Sequence, residues 1–322
     1  MGDPLQRSGS GVTGGRRRPA VIGAASSIGI RPYDDGREAR HLDRAPAVLR
    51  ELGLVARLGA DDLGDVSPPG YRDFARPPGG IRNEQEVAQY SRTLAERVAS
   101  GIGGGRLAVV IGGDCSIVLG SLLGATRGSQ RIGLAYIDAH ADFATPQQSL
   151  TGSAASMCLA LAVGRSDSPL ARLAGPLPLV HPDDVVLIGR RDAGQTSYGH
   201  AALESSGILD IPEDVLAART GTAVAAAALE RLARPELEGF WIHVDVDVLD
   251  PRVMPAVDSP EPGGPGLDEL AALIAPLAQH PRALGLQITI YDPALDPDRS
   301  CAARLVTLLE KVLADRDPIG AP

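Results

Sequence analysis

The feature that most restricts what this chain can fold into is a recurring alternation of short apolar runs with longer amphipathic stretches. Pro19 to Gly23, Leu107 to Ile111, Ile132 to Ile137, Val185 to Ile188, Phe240 to Val246 and Ala283 to Ile290 read as strands. Between and after them, Arg44 to Leu54, Glu84 to Ala99, Ser116 to Gly124, Gly266 to Leu277 and Ser300 to Ala314 read as helices. Strands with no polar face must be covered on both sides, which predicts an α/β fold of three αβα layers around a mostly parallel sheet. The stretches Asp65 to Gly80 and Val253 to Pro265, dense in Pro and Gly, read as loops. There is no internal repeat and nothing resembling a linker, so a disordered tail over 1–18 and one domain over 19–322 are expected.

Composition narrows the function classes. Hydrophobic residues make up 44% of the chain, enough for a large core, yet no run of about 18 apolar residues suggests a membrane span. The first twenty residues are polar, glycine-rich and basic, without the apolar segment of a secretory signal. A net charge of −9 argues against a nucleic-acid surface, and Arg16, Arg17 and Arg18 read as a solvated tail. Three scattered cysteines, Cys115, Cys158 and Cys301, are too few for a disulfide framework and fit a reducing cytoplasm.

In an open parallel sheet, ligands gather beyond the carboxyl ends of the strands. One strand runs out into Asp138-Ala-His140-Ala-Asp142, and another into Asp245-Val-Asp247. Alternate residues of an extended chain share a face, so each segment presents its ligand-type side chains together. Carboxylates crowded this closely raise the cost of ionising one another, and a divalent cation removes that cost. Oxygen donors with an imidazole suit Mn²⁺, and a dinuclear pair would sit roughly 3.5–4 Å apart, lowering the pKa of water between them. The competing reading, carboxylates that cap helices or line turns, explains one such cluster more easily than two.

DAHAD followed by DVDVLDP resembles the paired metal motifs of the arginase, agmatinase and formiminoglutamase (ureohydrolase) family, and Gly112-Gly113-Asp114-Cys115-Ser116 resembles its GGDHS motif. AVIGAASSIGI and RAPAVLRELGL resemble the family's opening strand and first helix. The resemblance implies an arginase-like fold and metal ligands at Asp138, His140, Asp142, Asp245 and Asp247, with Asp138 and Asp245 bridging. Cys115 stands where the family has a histidine. As a softer donor it shifts preference towards Zn²⁺ or a similar ion, or leaves that half-site empty, so one or two ions are expected.

Further departures bear on the substrate. The segment from Phe143 to Met157 matches the family stretch ending SGNxHG, which makes Thr151 and Ser153 substrate-binding candidates and puts Ala155 where the family keeps a proton-shuttling histidine. His243, in phase with Asp245, is the least implausible replacement among the remaining histidines; the alternative is a packed, hydrogen-bonded core residue. The segment Asp258 to Gly264 resembles the TPEPGG loop and aligns Glu269 with the acid that holds the substrate guanidinium, although an acid there also complements a helix dipole. Ala144 and Arg191-Asp192-Ala193-Gly194 replace the asparagine and RDVD contacts of arginine-specific members, with Asp192 retained.

These readings predict a metal-dependent hydrolase of a C–N bond in a small guanidino or amidino compound other than ordinary L-arginine, with Asp142, Glu269 and His243 as its catalytic candidates. Two alternatives stay open: a hydrolase of a modified guanidine, formimino or amide substrate in specialised metabolism, and a metal-binding pseudoenzyme acting as scaffold or regulator. The resemblance also implies a homo-oligomer, trimer or hexamer.

Overall fold

The computed structural model describes residues 17–32, 40–72, 76, 78–126, 130–192, 194 and 199–313. Eight strands form one sheet: β1 (Pro19–Ala24), β2 (Asp61–Val66), β3 (Leu107–Ile111), β4 (Ile132–Ile137), β5 (Val185–Ile188), β6 (Leu209–Ile211), β7 (Gly239–Asp245) and β8 (Ala283–Thr289). Their order is β2-β1-β3-β8-β7-β4-β5-β6, and every pairing is parallel. The helices are α1 (Ala45–Glu51), α2 (Leu54–Leu58), α3 (Glu84–Ile102), α4 (Ile117–Thr126), α5 (Cys158–Ala162), α6 (His200–Glu204), α7 (Glu213–Ala217), α8 (Gly221–Leu232), α9 (Leu267–Ala278) and α10 (Ser300–Leu313).

The expected three layers follow from the sequence pattern. Every residue of β1, β3, β4, β5 and β7 is buried, as strands covered on both faces must be. Gly101 of α3 abuts Ile22, whereas Gly23, the next residue of β1, abuts Pro46 of α1. Neighbouring strand residues point to opposite faces, so α3 and α1 cover opposite sides of the sheet. The layer of α3 continues into α4 and α5, and that of α1 into α10, α9 and α8.

Two strands escaped the sequence reading, and both lie at sheet edges. β2 reads DDLGDV and is mostly half-buried, with Arg50 paired to Asp62 and Asp65. Its backbone pairs with β1, but an edge strand needs no apolar signature, and charge there discourages pairing with another chain. β6 has only three residues. The first expected helix divides at Gly53, whose φ of +83° turns the chain between α1 and α2. The last expected helix ends at Leu313 among the described residues; Ala314, like residues 1–16 of the expected tail, lies outside them. Arg17 and Arg18, placed in that tail, hydrogen-bond to the carbonyls of His280 and Gly59. No described helix is long and apolar enough to cross a membrane.

Candidate metal centre

The four central strands, β3-β8-β7-β4, deliver the site at their carboxyl ends. Register pairs Tyr136 of β4 with His243 of β7, and His243 with Gln287 of β8, in one buried row. Two residues on, Asp138 follows β4, Asp245 ends β7, and Asp245 pairs with Thr289 of β8. From β3 the chain turns through Gly112 and Gly113, with φ of +91° and +85°, which carries Asp114-Cys115-Ser116 over the strand ends. A Cβ on Gly113 would stand 2.8 Å from the Ala24 carbonyl oxygen, so the turn requires glycine there. Asp114, fully buried, accepts from the Gly29 and Ser116 N–H groups and locks the turn.

Two groups of donors result. Cys115, Asp138, His243 and Asp245 form one, and Asp138, His140 and Asp247 the other; within each, the donor atoms lie within 4.8 Å of one another. Asp138 belongs to both. His140 Nδ1 is 3.1 Å from Asp247 Oδ2 and 3.5 Å from Asp138 Oδ1, and Cys115 Sγ is 2.6 Å from Asp245 Oδ2. Burial, reinforced by Asp247, pushes the Asp138 carboxyl up to about 7; burial, Asp247 and Asp138 push Asp245 well above the carboxylate range. Asp247 goes the other way: burial opposes its charge, but the His140 imidazole outweighs burial and holds it down. His140 rises well above its usual range because Asp247 and Asp138 outweigh the effect of burial.

This donor set fits a divalent cation. The buried Asp138 Oδ2 has no hydrogen-bond partner among the described residues, and crowded buried carboxylates that resist ionisation gain most from a positive charge between them. Asp142 belongs to neither group. Its Oδ2 accepts from the Tyr136 hydroxyl at 2.6 Å and from the Cys158 thiol at 3.2 Å, and burial followed by Asp138 raises it to about 8. Its φ of +47°, uncommon outside glycine, turns the chain so that it lines the same cavity.

That cavity, about 250 Å³, has Cys115, Asp138, His140, Asp142, Asp245 and Asp247 at its floor. Thr151, Ser153 and Ala155 line its wall, as does Ile290, a β-branched residue held at φ +70°. Arg40 and Asp258, a largely buried ion pair, also line it.

Three expected site residues stand elsewhere. Glu269 folds back to accept from the Gly266 N–H at 2.8 Å, capping α9, and lines a separate cavity with Glu213 and Asp268. The first-turn helix position that made it ambiguous in sequence decides its place, so the guanidinium role expected of it is not supported by this geometry. Asp192 is buried with Oδ2 on the Ala141 N–H at 2.9 Å, bracing the Asp138–Asp142 segment and not lining the cavity. His243 lies wholly buried beneath the carboxylates, stacked on Tyr136 with centroids 4.2 Å apart, and burial lowers its pKa to about 4. It is absent from the cavity lining, which argues against the proton-shuttling role expected of it.

The sequence reading overlooked Tyr136, Cys158, Gln287 and Ile290. Tyr136 and Gln287 had a signal, since each lies in phase with a residue at its strand's end; Cys158 and Ile290 had none, because their positions depend on loops closing over the sheet.

Carboxylates, an imidazole and a thiol gathered at the carboxyl ends of a parallel sheet define an α/β protein with a candidate metal centre. A model of the Arginase family matches residues 2–314. The arginase of Bacillus caldovelox is 29% identical over 300 residues, covering 90% of this chain and 98% of that protein. Its native structure superimposes with a TM-score of 0.82 at 27% identity, covering 93% of this chain and 99% of that one. Formimidoylglutamase of Bacillus subtilis, at 18% identity, shares the fold with a TM-score of 0.71 over 92% of this chain and 86% of its own. This chain belongs to the Arginase family, whose members are metal-dependent hydrolases of C–N bonds.

Proposed function

We propose that this protein hydrolyses a guanidino or amidino C–N bond in a small molecule other than ordinary L-arginine. The observation that carries the reading is a pair of donor groups sharing Asp138 at the floor of a cavity whose wall bears Ala155 and Ile290. Asp138, His140 and Asp247 would hold one divalent ion, with donors that suit Mn²⁺. Cys115, Asp138 and Asp245 would hold a second, with a thiol that favours Zn²⁺ or a similar ion. When bound, such ions supply Lewis acidity and lower the pKa of water to near neutrality.

The chain's own residues confine and orient the substrate. Ser153 Oγ accepts from the Arg31 N–H at 3.1 Å, which leaves its O–H to donate into the cavity, and Thr151 adds a second hydroxyl to the wall. Tyr136 and Cys158 fix the Asp142 carboxylate at the reacting end. Ala155 has no ionisable group to donate a proton, which favours a substrate whose leaving group needs little protonation. Among the described lining residues, Asp258 is the one carboxylate beyond those at the floor, and Arg40 engages it. Glu261 Oε1, 3.9 Å from His140 Nε2, is the other carboxylate near the centre, while Ala144 and Gly194 replace two of the polar contacts of the arginine-specific pattern; an α-amino acid end has correspondingly fewer partners, and each polar group left unpaired costs about 1–3 kcal/mol.

The arginase relatives favour a second reading, L-arginine itself. The test loads purified protein with Mn²⁺, Zn²⁺ or both and measures urea, ammonia and formamide release over L-arginine, agmatine, guanidino acids and formimino amino acids. Turnover fastest on a compound lacking the α-amino acid end supports the proposal; L-arginine as best substrate overturns it. Bound metal with no turnover across the panel indicates a scaffold or regulator instead. A homo-oligomer and a cytoplasmic location belong to the same proposal, the latter supported by three free, buried cysteines.

A further inference from the structure

Of the four donors in the sulfur-containing group, His243 has the most constrained chemistry. Its ring nitrogens face different partners: Nδ1 is 2.8 Å from Gln287 Nε2, and Nε2 is 3.8 Å from Asp138 Oδ2. The Gln287 amide is oriented from its far side, where Oε1 accepts from the Trp241 indole N–H at 2.9 Å. An indole nitrogen only donates, so the amide oxygen must face Trp241 and the amide NH₂ must face His243. An NH₂ donor at 2.8 Å leaves no room for a proton on Nδ1, so Nδ1 accepts. The imidazole is then neutral, with its one proton on Nε2. All three side chains are wholly buried, and no water competes for these bonds.

We infer that the Trp241–Gln287–His243 chain makes His243 an N–H donor to Asp138, and that His243 is therefore a positioning residue and not a metal ligand. A ligating imidazole needs its lone pair towards the ion and usually donates its other N–H to a neighbour. His243 has the reverse arrangement. Among the described residues, Nε2 and Asp138 Oδ2 are both buried without another hydrogen-bond partner, and they lie 3.8 Å apart. At 3.8 Å they stand beyond hydrogen-bond length; closing to about 2.9 Å satisfies both, since one carries a proton and the other accepts. The Nε2–H holds one oxygen of the shared carboxylate, restricting how Asp138 can turn towards an ion. Tyr136, stacked on the other side, keeps the ring from rotating. The thiol half-site is thereby reduced to Cys115, Asp138 and Asp245, with one position open.

This inference rests on the proposed metal centre, but its first test does not. In protein labelled with ¹⁵N-histidine, long-range ¹H–¹⁵N correlation spectra report the tautomer of each ring, and His243→Phe, which keeps an aromatic ring against Tyr136, assigns the signal. The expected result is a protonated Nε2 and an unprotonated Nδ1, both without metal and with one equivalent of Zn²⁺. A proton on Nδ1, or an Nε2 that loses its proton to zinc, overturns the inference. X-ray absorption of the one-equivalent zinc form gives a second reading. The second donor group contains His140 but no sulfur, so sulfur and imidazole on one ion would place His243 in the coordination sphere and refute the proposal. His243→Phe is expected to weaken zinc binding by roughly 10–100-fold, as loss of an outer partner does, while melting cooperatively; unchanged affinity overturns the positioning role. Wild-type protein that binds no divalent ion defeats the metal-centre reading, while the metal-free tautomer still decides whether the Trp241–Gln287–His243 chain is wired as argued.

Discussion

Asp138 and Asp142 bind their protons more tightly folded than unfolded, with pKa values raised to about 7 and about 8 by burial and by neighbouring carboxylates. Stability from a raised carboxyl pKa is complete below the ordinary value of 3.8 and is lost as pH climbs through the folded value. His243, lowered to about 4 by burial, works against this only up to about pH 7.5, while the unfolded imidazole still binds part of a proton, and from about pH 6.5 the two carboxyls outweigh it. Cation-free protein is therefore expected to melt at progressively lower temperature from about pH 6.5 to about pH 9. Loaded protein should show the opposite slope, because ligands must be ionised to bind. Calorimetry with and without chelator reads both slopes, and a cation-free melting temperature that rises over this range contradicts the account. Cys115→His should move ion preference from Zn²⁺ towards Mn²⁺ in competition measured by mass spectrometry; an unchanged preference would show that the thiol does not bind.

Among the elements, the turn after β3 and the start of α9 make opposite demands. Gly113→Ala forces a side chain into φ +85° and against the Ala24 carbonyl, and is expected to cost about 1–3 kcal/mol in urea denaturation. Since the same turn carries Cys115, metal affinity should fall with it. Glu269→Ala removes a first-turn acid from α9, which should cost about 0.3–1 kcal/mol and leave kcat/KM unchanged. A large loss of kcat/KM with unchanged stability would restore the guanidinium-binding role expected from sequence. The contrast lies in what each position faces: a strand-end turn opens onto the centre, whereas the first turn of α9 faces a different cavity.

Across the whole molecule, the charges of the centre are gathered from segments far apart in sequence, and a cation bound there would link β3, β4 and β7 at once. Binding to the folded state alone should stabilise it by about 2.7 kcal/mol at a hundredfold excess over Kd. Stripping metal with a chelator should lower the melting temperature in one cooperative transition. No change on chelation would mean that the carboxylates are satisfied without an ion.

What sequence alone determined was whatever depends on local pattern. Apolar runs such as Leu107–Ile111 and Ile132–Ile137 coincide with strands because a doubly covered strand has no polar face. Asp138 and Asp245 meet because β4 and β7 end side by side, while His140 and Asp247 are brought in by the bend and the short 3-10 turn that follow those strands. Tertiary structure decided what depends on direction and neighbours. Glu269 turned to its own helix terminus, Asp192 turned inward to brace a loop, and His243 was sealed beneath the centre by Tyr136 and Gln287. β2 formed because β1 offered it a backbone to pair with, although its own residues are polar. Periodicity is carried along the chain, but which atom of a buried side chain faces which partner is settled by packing between segments that the chain order keeps apart.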